Sequence, residues 1–279
     1  MPDAQDRANN GWLRAPLFAI LVFETAALIA RSYLEVYLRD RDYGLNYAAD
    51  LSYLVVPPIL LLLGIPVLKE HGHLVLDLFR RNRVCGRLIV IGVLLGITLR
   101  CAFWGGLIAM TSFGITIGAE ELPGIGPDFS WHCPAPWPMA LGILVSVLLI
   151  PPIEEIINRG FFLHRLLHRG EIFAVLLSTV LFALFHNMQT LYLALGVGAF
   201  LAAATLNSGA LWVSTIAHAS FNLMGQFDWR CLNGRWNPVE VTPIMRNIGA
   251  MATALFFVSL LLASLLVSKR IIGAQACAR

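Results

Sequence analysis

Long apolar runs, separated by short polar stretches, divide the chain into eight segments. A helix needs about 20 mostly apolar residues to cross the hydrocarbon core of a bilayer. The pattern therefore predicts an all-α fold, a polytopic transmembrane helix bundle of about eight spans. The predicted spans cover approximately residues 15–34, 48–68, 88–108, 138–168, 171–187, 190–206, 210–225 and 244–267.

The composition supports a membrane protein and argues against a soluble one. Hydrophobic residues make up 58% of the chain and charged residues 13%, whereas soluble domains average about 45–50% apolar and about 25% charged. The net charge of +3 does not indicate nucleic acid as a partner, because the basic residues flank the apolar runs. The lipid bilayer is therefore an expected partner, and no nucleic acid is expected. The first apolar run lacks a small-residue cleavage site, so we expect it to act as an uncleaved anchor.

Lysine and arginine residues are concentrated in the loops on one side of the predicted bundle. Arg80, Arg81, Arg83 and Arg87 fall in one such loop, whereas the long loop at residues 117–137 contains neither Lys nor Arg. Loops rich in these residues stay in the cytoplasm. With eight spans, the distribution predicts a multi-pass integral membrane protein with both termini in the cytoplasm. We expect its location to be the bacterial inner membrane.

The fourth predicted span contains two adjacent glutamates and an arginine. Charges at membrane depth are costly and usually mark function. Glu155 and Arg159 are four residues apart on one helical face, in the favourable order for an ion pair. Glu154 points about 100° away from Glu155 around the helix, so it is left free for chemistry. The alternative interpretation is a structural ion pair with a spare acid, since ion-pair networks also place charges in unusual positions.

Two later spans contain further polar clusters, and chain spacing relates the first of them to Glu154. Glu154 lies 16 residues before Gly170 and His186 lies 16 residues after it. In an antiparallel hairpin with its turn at Gly170, both lie about 24 Å from the turn at 1.5 Å per residue. A carboxylate and an imidazole at one level can share a water, and either can accept its proton. His218 and Asn222, on one face of the seventh span, can donate hydrogen bonds to an oxyanion. This set is sufficient for hydrolysis of an amide.

Three short motifs in this part of the chain follow one another in a recognisable order. They are Glu154-Glu155 with Arg159, Phe182 with His186, and His218 with Asn222. The ordered set resembles the CAAX-protease and bacteriocin-processing (ABI) family, which includes the type II prenyl-protein endopeptidases. The family pattern is EExxxR, then FxxxH, then HxxxN or HxxxD, and all three motifs match.

This resemblance implies a glutamate-dependent intramembrane endopeptidase that needs no catalytic metal or other cofactor. By motif, Glu154 and His186 would activate the water, and His218 and Asn222 would stabilise the oxyanion. Glu155 and Arg159 would support the shape of the site. The implied partner is a membrane-associated protein or peptide substrate, with a CAAX-like tail or a sorting or leader peptide.

The resemblance also suggests how the chain is organised. It covers about residues 138–225, which we interpret as a catalytic core of the fourth to seventh helices. Residues 1–137 would then form an N-terminal unit with the first three spans. Residues 226–279 would form an extracytoplasmic loop and the last transmembrane helix.

Two other functions remain open from the sequence. The first is a zinc-dependent protease that uses Glu154, His186 and His218, because three side-chain ligands make a catalytic zinc site. The second is a non-enzymatic membrane scaffold or immunity protein, in which the polar clusters serve as packing.

The five cysteines contain no CxxC pair, which argues against a zinc ribbon or a thioredoxin-like motif. Cys133 and Cys231 fall in the two long loops predicted on the non-cytoplasmic side. A disulfide between them and two free thiols are both compatible with the sequence.

Overall fold

The structure, a computed structural model, describes residues 16–41, 48, 51–80, 86–112, 140–186, 191–226 and 243–272. Within these residues the regular secondary structure is helical throughout, which confirms the predicted all-α class. The helices are α1 Leu17–Arg39, α2 Val56–Arg80, α3 Gly86–Ser112, α4 Ala140–Arg169, α5 Glu171–Leu184, α6 Leu191–Ser208, α7 Leu211–Gln226, α8 Pro243–Leu266 and the short α9 Lys269–Ile272.

A helix occupies each of the eight predicted spans, but the helices differ in length. Five of them, α1 to α4 and α8, are long and apolar enough to cross a membrane, so the chain is an integral membrane protein. By contrast, α5 has 14 residues and α7 has 16. At about 1.5 Å per residue these two helices measure only about 21–24 Å. They are shorter than the roughly 30 Å hydrocarbon core.

The turn between α4 and α5 is the one that the chain spacing predicted. Gly170 has a φ of 106° and separates the last turn of α4 from the first residue of α5. This backbone conformation is accessible to glycine and strained for other residues. The two helices therefore form a hairpin, with Glu154 in the first and His186 just beyond the end of the second.

The helix α3 packs closely against α7 and α8. A Cβ atom on Gly96 would lie 2.2 Å from the carbonyl oxygen of Ala217 on α7. Nine residues further along α3, a Cβ atom on Gly105 would lie 2.8 Å from the carbonyl oxygen of Ala252 on α8. Small residues allow helix backbones to approach in this way inside membranes. They fix the height of α3 relative to the helix that carries His218 and Asn222.

The helix α4 changes its hydrogen-bond register on both sides of the glutamate pair. Residues Ile143–Leu149 and Ile156–Leu163 are π-helical, and the segment Ile150–Glu155 between them is α-helical. The N–H of Ile150 donates to the carbonyl of Val145, five residues back. In the same register the next donor would be residue 151, which is a proline and has no N–H. The backbone therefore provides no donor from this position to the carbonyl of Ser146.

Some predictions concern residues that lie outside the described ranges. These are the pairing of Cys133 with Cys231, and most of the loops at residues 117–137 and 226–243. The assignment of both termini to the cytoplasm remains a prediction.

Candidate active site

The predicted ion pair between Glu155 and Arg159 is present and buried. Nη1 of Arg159 lies 3.2 Å from Oε1 of Glu155, and the two side chains are 1% and 0% exposed. Nη2 of Arg159 donates to the carbonyl of Gly198 on α6 at 3.1 Å. The guanidinium also lies over the ring of Phe182 on α5, 4.3 Å from its centroid. Arg159 is therefore held by three helices and neutralises Glu155 inside the bundle.

The side chain of Glu154, in contrast, is partly exposed and faces a cavity. Its side chain is 25% exposed, and it lines a cavity of about 310 Å³. His186, His218 and Asn222 line the same cavity. The structure thus brings the four residues predicted to act on the substrate to one cavity. Glu155 and Arg159, predicted to support them, lie in the protein interior behind Glu154.

The imidazole of His218 lies between the two glutamates. Its Nδ1 is 3.0 Å from Oε1 of Glu155, and its Nε2 is 3.7 Å from Oε2 of Glu154. The Glu155 carboxylate, paired with Arg159, accepts hydrogen bonds, so Nδ1 of His218 carries the proton. Neutral His218 then has a lone pair on Nε2. Donation from Nε2 to an oxyanion, the predicted role, requires a second proton on the ring.

His186 has a tautomer suited to accepting a proton from the cavity. Its Nδ1 donates to the carbonyl of Phe182 at 2.9 Å. In the neutral ring, Nε2 therefore has no proton and can accept one from a water. His186 and Glu154 line one cavity, as the count from Gly170 predicted. Within the described residues, however, the histidine that lies within ion-pair distance of Glu154 is His218 and not His186.

The side-chain amide of Asn222 forms a hydrogen bond with the backbone of α4. Its Nδ2 donates to the carbonyl of Ser146 at 2.7 Å, the carbonyl that faces Pro151 in the π register. An amide nitrogen carries two hydrogens, so one remains to point into the cavity. Asn222 therefore links α7 to the π-helical part of α4 and retains one donor for an oxyanion.

Phe182 belongs to one of the three motifs, but the motif predicts no role for its side chain. Its ring contacts three site residues: Arg159, His186 at 4.5 Å between ring centroids, and His218 at 5.8 Å. The four-residue spacing between Phe182 and His186 is a signal that indicates contact on one helical face. The prolines of α4 are a sequence signal that a backbone donor is missing, but the carbonyl concerned depends on the π register.

In the part of the chain that the structure describes, no three His, Cys, Asp or Glu side chains are grouped as metal ligands. The zinc alternative with Glu154, His186 and His218 would require these side chains to rearrange. The absence of a catalytic metal and of any other cofactor stays a prediction.

Residues 136–224 match the family model of the Rce1-like type II CAAX prenyl endopeptidases. This part of the chain is similar to that family. The match includes all three motifs and confirms the predicted relation to the CAAX-protease family. No curated protein and no solved structure matches the chain. The Rce1-like segment, together with the long apolar helices, indicates a membrane peptidase that acts on membrane-associated proteins.

Proposed function

We propose that the protein is a metal-independent endopeptidase of the glutamate type, which hydrolyses a peptide bond of a membrane-associated substrate. The observation that supports this proposal is that two adjacent carboxylates differ in burial and in ion pairing. Glu155 is buried and paired with Arg159 and His218, whereas Glu154 is open to a cavity that it shares with His186. Such a division leaves one carboxylate for chemistry and uses the other to hold the site.

In the proposed reaction, a water lies between the carboxylate of Glu154 and Nε2 of His186. One of these groups accepts a proton as the water oxygen adds to the carbonyl carbon of the scissile bond. The oxyanion that forms accepts the remaining N–H of Asn222 and, when His218 is charged, its Nε2–H. Transfer of the proton to the amide nitrogen then allows the C–N bond to break and the amine to leave.

The substrate class that we propose is a protein or peptide with a CAAX-like tail, or a sorting or leader peptide. Support comes from the Rce1-like match at residues 136–224. We further propose that both termini lie in the cytoplasm and that the bacterial inner membrane is the location. The distribution of Lys and Arg between the loops supports this orientation.

The decisive experiment compares cleavage of a farnesylated CAAX peptide by the wild type and by Glu154→Gln in detergent or nanodiscs. The amide is nearly isosteric with the carboxylate but is a poor proton acceptor, so turnover should be lost while the thermal unfolding midpoint is unchanged. Glu171→Gln is the matched control, because Glu171 is an exposed carboxylate in the first turn of α5. Substantial turnover by Glu154→Gln would reject the general-base role. Absence of cleavage by every form would favour the non-enzymatic alternative.

A further inference from the structure

A second charged group lies on the wall of the active-site cavity, and the proposed mechanism does not use it. Arg100 lies in the apolar helix α3 and lines the cavity together with Glu154 and Asn222. Its guanidinium carbon is 4.7 Å from the ring centroid of Phe221 and 5.1 Å from that of Phe103. Aromatic rings stabilise a cation at such distances. A charge kept at membrane depth usually serves binding or transport.

Among the described residues, the guanidinium of Arg100 differs from that of Arg159 in forming no ion pair with a carboxylate. Across the described ranges, the ion pairs of arginine join Arg31 and Arg39 to Glu35, and Arg159 to Glu155. None of them includes Arg100, and its buried Nε has no hydrogen-bond partner there. A guanidinium at a cavity wall, with no carboxylate partner among the described residues, is suited to binding an anion that enters the cavity.

The packing of α3 against α7 fixes where this guanidinium lies. A Cβ atom on Gly225 would be 2.0 Å from Nη2 of Arg100 and 2.6 Å from its Cζ. Gly225 follows Asn222 by three residues, so it lies about one turn further along α7. The glycine therefore makes room for the guanidinium beside the proposed oxyanion donor.

We propose that Arg100 binds a carboxylate of the peptide substrate, namely its free C-terminal carboxylate. This inference rests on the proposed function and adds a specificity-determining residue to it. A planar guanidinium binds a carboxylate through two parallel hydrogen bonds. Three extended residues span at most about 10 Å, so a substrate held at its carboxylate by Arg100 presents only a bond near that end to Glu154, which lines the same cavity. Arg100 thus restricts cleavage to a bond a few residues from the C-terminus.

The test uses two peptides with a farnesylated cysteine followed by three residues, one ending in a free acid and one in a carboxamide. For the wild type, we expect kcat/KM to be about 10- to 100-fold higher for the acid, the range for loss of a charge-assisted hydrogen bond. Arg100→Gln should lose this preference, and Arg100→Lys should keep part of it. Gly225→Ala, which displaces the guanidinium without removing its charge, should also weaken the preference. Arg169→Gln is the control, because Arg169 is exposed at the C-terminal end of α4.

A binding measurement separates this inference from the proposed function. In fluorescence anisotropy, the Glu154→Gln protein should bind the acid peptide more tightly than the carboxamide peptide. In the double variant with Glu154→Gln and Arg100→Gln, this difference should disappear. Equal turnover and equal binding of both peptides by protein with intact Arg100 would overturn the inference and leave the peptidase proposal standing. Discrimination in binding without any cleavage by the wild type would overturn the peptidase proposal alone. A side chain of the substrate is the other possible source of a carboxylate, and a carboxamide peptide with aspartate as its last residue tests it. A preference for this peptide over the free acid that depends on Arg100 would overturn the C-terminal assignment.

Discussion

The side-chain amide of Asn222 donates to the carbonyl oxygen of Ser146 at 2.7 Å, where the π register of α4 places a proline instead of an N–H donor. The contact joins residues 76 positions apart. It couples the proposed oxyanion donor to the backbone that precedes Glu154. A change at either end is therefore expected to alter both stability and catalysis.

Asn222→Ala should reduce both the turnover rate and the thermal stability. Loss of one oxyanion donor lowers kcat by about 10²–10³ in other hydrolases, and loss of the part-buried hydrogen bond to the Ser146 carbonyl costs about 0.5–1.5 kcal/mol. Turnover of a farnesylated peptide and the unfolding midpoint measure the two effects. An increase in KM alone, with kcat unchanged, would instead assign Asn222 to substrate binding.

The same contact can be tested by restoring the missing backbone donor. Pro151→Ala provides an N–H that can reach the Ser146 carbonyl, so Asn222→Ala should destabilise the Pro151→Ala protein less than the wild type. A double-mutant cycle of unfolding free energies measures this coupling. Additive effects of the two changes would show that residue 151 and the Asn222 amide do not serve the same carbonyl.

Arg159→Ala should strongly destabilise the protein. It leaves Glu155 buried without its cation, and breaking a buried pair costs about 3–5 kcal/mol. Expression level and unfolding midpoint provide the measurement. Replacing Glu155 and Arg159 together with apolar residues should restore expression but not turnover. Normal expression of Arg159→Ala alone would argue against the structural role.

Gly96→Ala should destabilise the contact between α3 and α7, because the new Cβ would lie 2.2 Å from the Ala217 carbonyl oxygen. Overpacking of this kind typically costs about 1–3 kcal/mol. Gly64→Ala in α2 is the matched control, since a Cβ there meets no atom within 4 Å. The control should be neutral or slightly stabilising, as alanine is the better helix former. Equal unfolding midpoints for the two variants would contradict the close approach of the helices.

Strong chelation should leave the cleavage rate unchanged. The proposed mechanism uses Glu154 and His186 directly on water, and the Nδ1 atoms of His186 and His218 already donate to Phe182 and Glu155. The measurement is turnover after prolonged treatment with a zinc chelator, beside a zinc protease treated in the same way. Loss of activity that added zinc restores would establish the zinc alternative instead.

Much of the local structure follows from the sequence by itself. The apolar runs determine the positions of the helices, because backbone polar groups inside a bilayer must be satisfied within each helix. The four-residue spacing determines the ion pair between Glu155 and Arg159, since its geometry depends on one helix alone. Gly170 determines the turn, and the equal counts on either side bring Glu154 and His186 to one cavity.

The tertiary structure alone decided which groups meet between helices that are distant in the chain. His218, rather than His186, lies between the two glutamates, because that contact depends on how α7 is rotated and shifted against α4. The Asn222 amide meets the Ser146 carbonyl, 76 positions away in the sequence, within the π-helical part of α4. The position of Arg100 against Gly225 depends in the same way on the close approach of α3 to α7. Spacing along a chain determines contacts within one helix or one hairpin, whereas contacts between distant helices depend on packing throughout the bundle.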